Sequence, residues 1–235
     1  NEWVDAEAGI GFSHRRLAII DLSAEGRQPM HSACGRYVMA YNGEIYNFAD
    51  LRAPLEQAGA RFRGHSDTEV LLAGVVAWGL EETLRRANGM FALALWNRHE
   101  HALHLARDRL GQKPLYYGWA GRRLAFASEL KAFALLPGFQ RQLDRQALTL
   151  FLRHGYVPEP FCIWQGLWKL PPGTLLRIAP GDVEGRALPS PRAYWSLNEV
   201  ARASAANPIA NEKQAEEELD ALLRDAVRLC MVSDV

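Results

Sequence analysis

The sequence predicts an α+β fold in which antiparallel hairpins pack under helices, and three observations carry that prediction. Apolar runs come in pairs across short polar turns: Met90 to Trp96 with Ala102 to Arg107, then Leu115 to Trp119 with Arg122 to Ala127. Helical periodicity is grouped between such pairs, with Leu51, Leu55 and Ala58 on one face and Val70, Leu71, Leu72, Val75 and Val76 in the next segment, and does not alternate strand by strand as βαβ units require. Finally, 235 residues with 49% hydrophobic content can bury a substantial core, enough for one domain and part of another.

Composition excludes several classes of function. Lys+Arg and Asp+Glu are balanced at 27 each, so no overall field attracts nucleic acid or an anionic membrane surface, and the expected partners are small molecules or protein. No apolar run approaches the roughly 20 residues that cross a bilayer, and no positively charged apolar leader opens the chain; the cytoplasm is the expected compartment. Cys34, Cys162 and Cys230 lie outside any C-x-x-C or Cys/His cluster. Neither a metal site nor a disulfide framework is expected, and the three thiols read as reduced packing residues, Cys34 in a turn, Cys162 in an apolar loop and Cys230 on the buried face of a helix. The opening Asn1-Glu2-Trp3-Val4-Asp5 lacks the cap or turn logic of a natural start, and the close on Ser233-Asp234-Val235 comes directly after a helix, so the chain reads as a piece of a longer protein.

Taken in order, Gly9 to Ser13 and Leu17 to Ile20 read as short strands flanking His14-Arg15-Arg16, with Arg16 at a strand entrance, and Gly26 to Pro29 turns the chain. Arg36 to Tyr41 alternates as a strand. Asn47 is a candidate N-cap for a helix over Phe48 to Ala58 that Pro54 should kink or shorten. Ser66-x-x-Glu69 is a capping box opening a helix that Gly79 stops; Asp67 falls in its first turn, where the helix dipole favours a carboxylate. Leu80 to Arg86 forms a further short helix. Arg107-Asp108-Arg109 reads as a structural ion-pair cluster, because a nucleic-acid patch needs more basic residues. Ser128 is expected to cap a helix from Glu129 to Leu135, and Arg145 to His154 is amphipathic. The domain reading is 1–180 as a first domain, 181–209 as a linker rich in Gly, Pro, Ser, Ala and Asn, and 210–235 as the start of a second. There Ala215, Leu219, Leu222, Leu223, Ala226, Val227 and Cys230 share one helix face, which must bury against something.

The stretch Tyr41-Asn42-Gly43-Glu44-Ile45-Tyr46-Asn47 concentrates the chemistry. Gly43 lets a ligand approach a backbone N–H and Asn42 adds a side-chain donor, so two donors can converge on one oxyanion. The competing reading is a hairpin turn, since Asn-Gly after an apolar run is the strongest short-range signal for one.

With these residues in this order the sequence resembles the glutamine-hydrolysing asparagine synthetases, whose front half is a class II glutamine amidotransferase domain of the N-terminal-nucleophile type. The resemblance runs through His14 to Asp21, Tyr41 to Asn47, Gly64-His65-Ser66-Asp67-Thr68-Glu69, Gly89-Met90-Phe91-Ala92, Ala106-Arg107-Asp108-Arg109 to Tyr117, Phe126-Ala127-Ser128-Glu129, Leu170-Pro171-Pro172-Gly173 and Ser233-Asp234-Val235. It implies a four-layer αββα sandwich of antiparallel sheets, followed by a linker and the first helix of an α/β synthetase domain.

For the site, the resemblance implies a pocket for L-glutamine. Arg16 would hold the substrate α-carboxylate and Asp67 the α-ammonium; Asn42 and Gly43 would form the oxyanion hole; Glu44 would line the pocket and help anchor the amino-acid end; the Leu17 to Ile20 strand would supply backbone walls. A free amino acid carries one cation and one anion at fixed spacing, so an Asp and an Arg on opposite walls select it. The family's nucleophile is an N-terminal cysteine activated by its own α-amino group. The ammonia released passes to a synthetase domain that converts L-aspartate to an aspartyl adenylate with ATP and Mg²⁺; a homodimer is compatible with the family. The nucleophile expected before Asn1 and the Ser-Gly-Gly-x-Asp-Ser nucleotide loop expected after Val235 are not in this sequence, and none of the three cysteines reads as a substitute, so the chain by itself is expected to be inactive. An amidotransferase of a sugar, polysaccharide or antibiotic pathway, a β-lactam synthetase, and a non-catalytic glutamine-binding module are the other readings.

Overall fold

Period-two alternation in the sequence becomes antiparallel sheet in the computed structural model, which describes residues 1–17, 19–206 and 208–232. Strands β1 (Glu2–Asp5) and β2 (Ile10–Ser13) form a two-stranded ribbon, and a single 3-10 turn at Ala24–Gly26 leads to β3 (Met30–His31) and β4 (Tyr37–Ile45). Three helices come next as a block: α1 (Phe48–Gln57), α2 (Asp67–Trp78) and α3 (Leu80–Arg86). After them are β5 (Gly89–Asn97), β6 (Ala102–Arg107), β7 (Tyr116–Ala120), β8 (Arg123–Ala127), α4 (Leu130–Phe133), α5 (Arg145–His154), β9 (Leu167–Lys169) and β10 (Thr174–Ile178). The chain continues through α6 (Pro180–Glu184), β11 (Arg192–Ala193), α7 (Leu197–Ala205) and α8 (Glu212–Cys230). One sheet has the order β11-β10-β6-β5-β4-β3 and another β8-β7-β9, and their strand pairs are antiparallel.

Strand β5 shows why these layers form. Phe91, Leu93 and Leu95 point to one face, where they join Met39, Tyr41 and Ile45 of β4 and the inner residues Leu55, Leu71 and Leu84 of the helices. Ala92, Ala94 and Trp96 point to the other, against Phe12 and Tyr117 of the smaller sheets and Leu115 just before β7. A third cluster, Ala120, Phe133, Cys162 and Leu167, lies around α4 and the outer side of β7. Each fully buried aliphatic or aromatic side chain contributes about 1.5–3 kcal/mol, so a strand buried on both faces holds two layers together. The expected α+β architecture of antiparallel sheets and grouped helices is borne out.

Several local expectations are corrected. Asn42-Gly43 is no turn: β4 runs through both, pairing Asn42 with Ala92 and Gly43 with Phe91, because nine consecutive pairings with β5 outweigh the local Asn-Gly preference. Of the expected strand Leu17 to Ile20, the described residues form none: Leu17 is exposed and Ile20 lies in a bend, while Ala18 falls outside the described residues. Asn47 does not cap α1 with its side chain, which bridges the Arg86 carbonyl and the Asn88 N–H; Pro54 sits inside α1 without ending it. Half of the capping box forms: Ser66 Oγ accepts the Glu69 N–H, whereas the Glu69 carboxylate accepts the Arg63 and Gly64 N–H groups. Arg107 and Asp108 do not pair with each other. Arg107 donates to the carbonyls of Lys113, Leu170 and Gly111 and to Glu159, and Asp108 accepts backbone N–H groups of Phe91, Leu110, Gln112 and Lys113.

The stretch 181–209 is not a linker throughout. Strand β11 adds to the large sheet through Thr174↔Ala193 and Leu175↔Arg192, Tyr194 is 1% exposed with its hydroxyl donating to the Arg107 carbonyl, and Trp195 packs on the helix-side core. One buried aromatic, Tyr194, and one partly buried, Trp195, decide this against a Gly- and Pro-rich composition. Beyond them α7 and α8 have no buried residue; Leu219, Leu222, Leu223 and Val227 are exposed, and so is Cys230, contrary to its expected burial. Cys34 is exposed and Cys162 buried. Ser233-Asp234-Val235 lie outside the described residues. Among the described residues no helix is long and apolar enough to cross a membrane.

Candidate active site

The site grows from the end of β4 where β3 stops. Strand β3 pairs only with Val38 and Met39, so from Tyr41 onward that edge of β4 is open. The Tyr41 N–H on this edge donates to Gln28 Oε1 (2.6 Å) and the Ile45 N–H to Asp67 Oδ2 (2.9 Å). Strand parity fixes the residue between them. Phe91, opposite Gly43, exchanges its backbone bonds with Asp108, on the side away from β4: its N–H donates to Asp108 Oδ2 and its carbonyl accepts the Asp108 N–H. Gly43 and Phe91 therefore form a non-hydrogen-bonded pair, and the Gly43 N–H points to the open edge. Among the described residues no acceptor meets it. Gly43 has to be glycine: a Cβ there would lie 2.6 Å from Phe91 Cα, so closely do β4 and β5 approach.

Asn42 and Glu44 project to the opposite face from Tyr41 and Ile45, as alternate residues of a strand must. Asn42 Nδ2 donates to Ser128 Oγ at 3.1 Å. Glu44 is 8% exposed, and none of the described residues donates a hydrogen bond to its carboxylate; burial raises its pKa first, the Asp67 charge adds to this, and Lys113 pulls it back.

Asp67 begins α2 behind the same strand end, with Ser66 as its N-cap. Its Oδ2 accepts Tyr41 Oη–H (2.8 Å) and the Ile45 N–H, and its Oδ1 accepts the Thr68 N–H (2.7 Å) and Thr68 Oγ1–H (3.3 Å). All four acceptor directions of the carboxylate are engaged. Burial still dominates its titration and raises the pKa against the pull of those bonds, while the Tyr41 phenol is pushed far up by burial and by the Asp67 charge. Gln28, 4% exposed, links Tyr41 to Thr68 Oγ1 and closes this buried network.

Arg16 approaches by a separate loop. Its guanidinium donates to the carbonyls of Ile20 and Asp21, both at 2.7 Å, and packs where a Cβ on Gly26 would stand. Asp21, with φ 61° and no exposed surface, holds that loop to the Asp67 segment: its carboxylate accepts Ser23 N–H and Oγ–H and the His65 N–H. The structure thus joins Asn42, Gly43, Glu44 and Asp67 at one strand end, and Arg16 to them through Asp21 and His65. Tyr46, two residues beyond Glu44, has its pKa pushed up to about 12, by burial first and then by the neighbouring Cys230 thiol at the end of α8. Sequence reasoning missed Tyr41 as the hydroxyl donor to Asp67, and also Gln28 and Asp21. It placed Ser128 on a helix cap instead, although α4 starts at Leu130 with Glu129 at the cap position.

A sequence model of the glutamine amidotransferase domain matches residues 1–195, ending where Trp195 closes the core. The chain belongs to the glutamine amidotransferase domain family. Among curated relatives of this glutamine amidotransferase domain, asparagine synthetase [glutamine-hydrolyzing] 1 of Bacillus subtilis is 37% identical over 229 residues, covering 96% of the chain and 34% of the relative. A putative asparagine synthetase [glutamine-hydrolyzing] of Mycobacterium bovis is 39% identical over 240 residues, 98% of the chain and 35% of the relative. The domain thus spans about a third of the length of these relatives. Among solved structures, the glutamine phosphoribosylpyrophosphate amidotransferase of B. subtilis superposes with a TM-score of 0.55 at 23% identity, over 79% of this chain and 34% of that one, which is a likeness of fold. The resemblance read from the motifs is borne out at the level of the family.

Proposed function

We propose that this domain is the glutaminase part of a glutamine-hydrolysing asparagine synthetase. It would hydrolyse L-glutamine to glutamate and ammonia, and the ammonia would amidate L-aspartate, activated as an aspartyl adenylate, in a synthetase domain that uses ATP and Mg²⁺. The single observation that supports this best is the Gly43 N–H. It is an edge donor left open between two satisfied ones, with the Asn42 amide on the adjacent residue. Two donors at one strand end suit the oxyanion of a tetrahedral intermediate. The names of the curated relatives support aspartate as the acceptor.

In this reading a cysteine thiol from outside the 235 residues attacks the side-chain amide carbon of glutamine, and the carbonyl oxygen takes the developing charge between Asn42 Nδ2 and the Gly43 N–H. The C–N bond then breaks, ammonia leaves, and water hydrolyses the glutamyl thioester. Arg16 receives the α-carboxylate. Of the two carboxylates, Glu44 is the better seat for the α-ammonium, because Asp67 is already fully bonded and serves to hold Tyr41 and Ile45 in place; this exchanges the weights that the resemblance alone gives them. Among the described residues no three His, Cys, Asp or Glu side chains converge as a metal site would need, and no step assigned to this chain is routed through ATP or Mg²⁺.

The test is Asn42→Ala in the full-length protein. Loss of one oxyanion donor should slow glutamine hydrolysis by about two to three orders of magnitude, while synthesis from added ammonia continues. Equal loss of both activities would make Asn42 structural and remove the oxyanion hole from this strand end.

A further inference from the structure

We infer that Ser128 is a positioning residue for glutamine hydrolysis, holding the Asn42 amide in place as an oxyanion donor; the inference rests on the oxyanion-hole reading above. Three features carry it. Ser128 is 86 positions from Asn42 in sequence, yet its Oγ accepts from Asn42 Nδ2 at 3.1 Å. The hydroxyl is not used by the next helix: α4 begins at Leu130, its cap position is Glu129, and no side-chain cap bond forms there. The bond also crosses layers. Asn42 belongs to β4 of the six-stranded sheet, on the face where Val38 packs against the second sheet layer, and Ser128 is the first residue after β8 of the three-stranded sheet.

The terminal torsion of an asparagine is broad, so an amide on a strand end can rotate its plane at little cost. The Nδ2 group carries two hydrogens. With one committed to Ser128, the plane is fixed and the second is presented in one direction. A bond that joins two sheets has a rigid body behind each partner, which a bond within one loop does not. Displacements of about 1 Å from productive geometry cost about a hundredfold in rate, so a tether of this kind bears on turnover without touching the substrate.

Glutaminase kinetics of the full-length protein test this with Ser128→Ala, Ser128→Thr, Asn42→Ala and the double variant, each first shown by thermal unfolding to be folded. Ser128→Ala should lower kcat about tenfold, between no effect and the loss expected for Asn42→Ala, and leave KM for glutamine within about twofold. Ser128→Thr, which keeps the hydroxyl, should restore most of kcat. In the Asn42→Ala background, Ser128→Ala should change nothing further, because the tether has nothing left to hold. The inference is overturned if Ser128→Ala leaves kcat intact, or lowers it equally with and without Asn42. It is overturned too if Thr fails to rescue while remaining folded. If Asn42→Ala itself hydrolyses glutamine at the wild-type rate, the oxyanion-hole reading has failed and the inference falls with it, an outcome that the single Asn42 variant reports by itself.

Discussion

At the scale of single residues, two buried carboxylates at the strand end of the proposed oxyanion donors, Glu44 next to Gly43 in sequence and Asp67 brought there by α2, carry different loads. Asp67 accepts four hydrogen bonds and Glu44 none from the described residues. An ammonium ion arriving at Glu44 meets an open acceptor, whereas at Asp67 it would have to displace Tyr41, Ile45 or Thr68. Glu44→Gln should therefore raise KM for glutamine at least tenfold, and Asp67→Asn should act mainly on stability, by about 1–3 kcal/mol in denaturant unfolding, as a buried network loses its acceptor. The pH dependence has a definite sign. Burial and the Asp67 charge hold the Glu44 pKa above the ordinary 4.5, so on acidification Glu44 takes up its proton, and in the proposed role would lose its hold on the ammonium, at a higher pH than an ordinary glutamate. The acid-side weakening of glutamine binding should be present in the wild type and absent in Glu44→Gln. Identical acid limbs, or a larger KM effect from Asp67→Asn, would return the ammonium to Asp67.

At the scale of elements, the open edge of β4 is created by the shortness of β3 and kept usable by Gly43. An alanine there would drive its methyl against Phe91 Cα and the Met90 carbonyl, which are backbone and main-chain neighbours with no freedom to yield. Gly43→Ala should cost about 3 kcal/mol or more of unfolding free energy and abolish glutaminase activity. Gly181→Ala, where nothing lies within 4 Å, should be neutral or slightly stabilising by urea titration. A Gly43→Ala protein as stable as the wild type would mean that β4 and β5 can separate there. The paired strands were legible in the sequence, because residues such as Phe91, Leu93 and Leu95 repeat with the period of a strand. Asn42 and Gly43 were legible as chemistry but not as strand: the local Asn-Gly preference favours a turn, and only the pairing with a segment nearly fifty residues on overrides it. Glu44 as the open carboxylate, and Ser128 as a partner of Asn42, were not legible at all, since both depend on which acceptors the fold fills first.

At the scale of the whole molecule, the buried mass ends with Tyr194 and Trp195, and the segment beyond them is held by little. Tyr194 donates to the Arg107 carbonyl, and Arg107 in turn gathers the carbonyls of Lys113, Gly111 and Leu170, so Tyr194 ties the end of the core to that loop. In α7 and α8 no residue is buried, and the apolar face of α8 at Leu219, Leu222, Leu223 and Val227 stays open to solvent. A helix held mainly by its own i,i+4 pairs, such as Arg224 with Asp220, is marginal in water. A chain cut after Trp195 should therefore unfold within about 2 °C of the 235-residue chain, because the deleted segment contributes almost no buried area. A chain cut after Pro191, which loses β11, Tyr194 and Trp195, should fall by about 10 °C or more, through the loss of the buried Tyr194, worth about 3–5 kcal/mol, together with the partly buried Trp195 and the β11 pairing. Differential scanning calorimetry of the three lengths decides it. A large drop already at the Trp195 cut would place real packing energy in α8 and its Cys230 contact with Tyr46, and the domain boundary would move to the end of that helix.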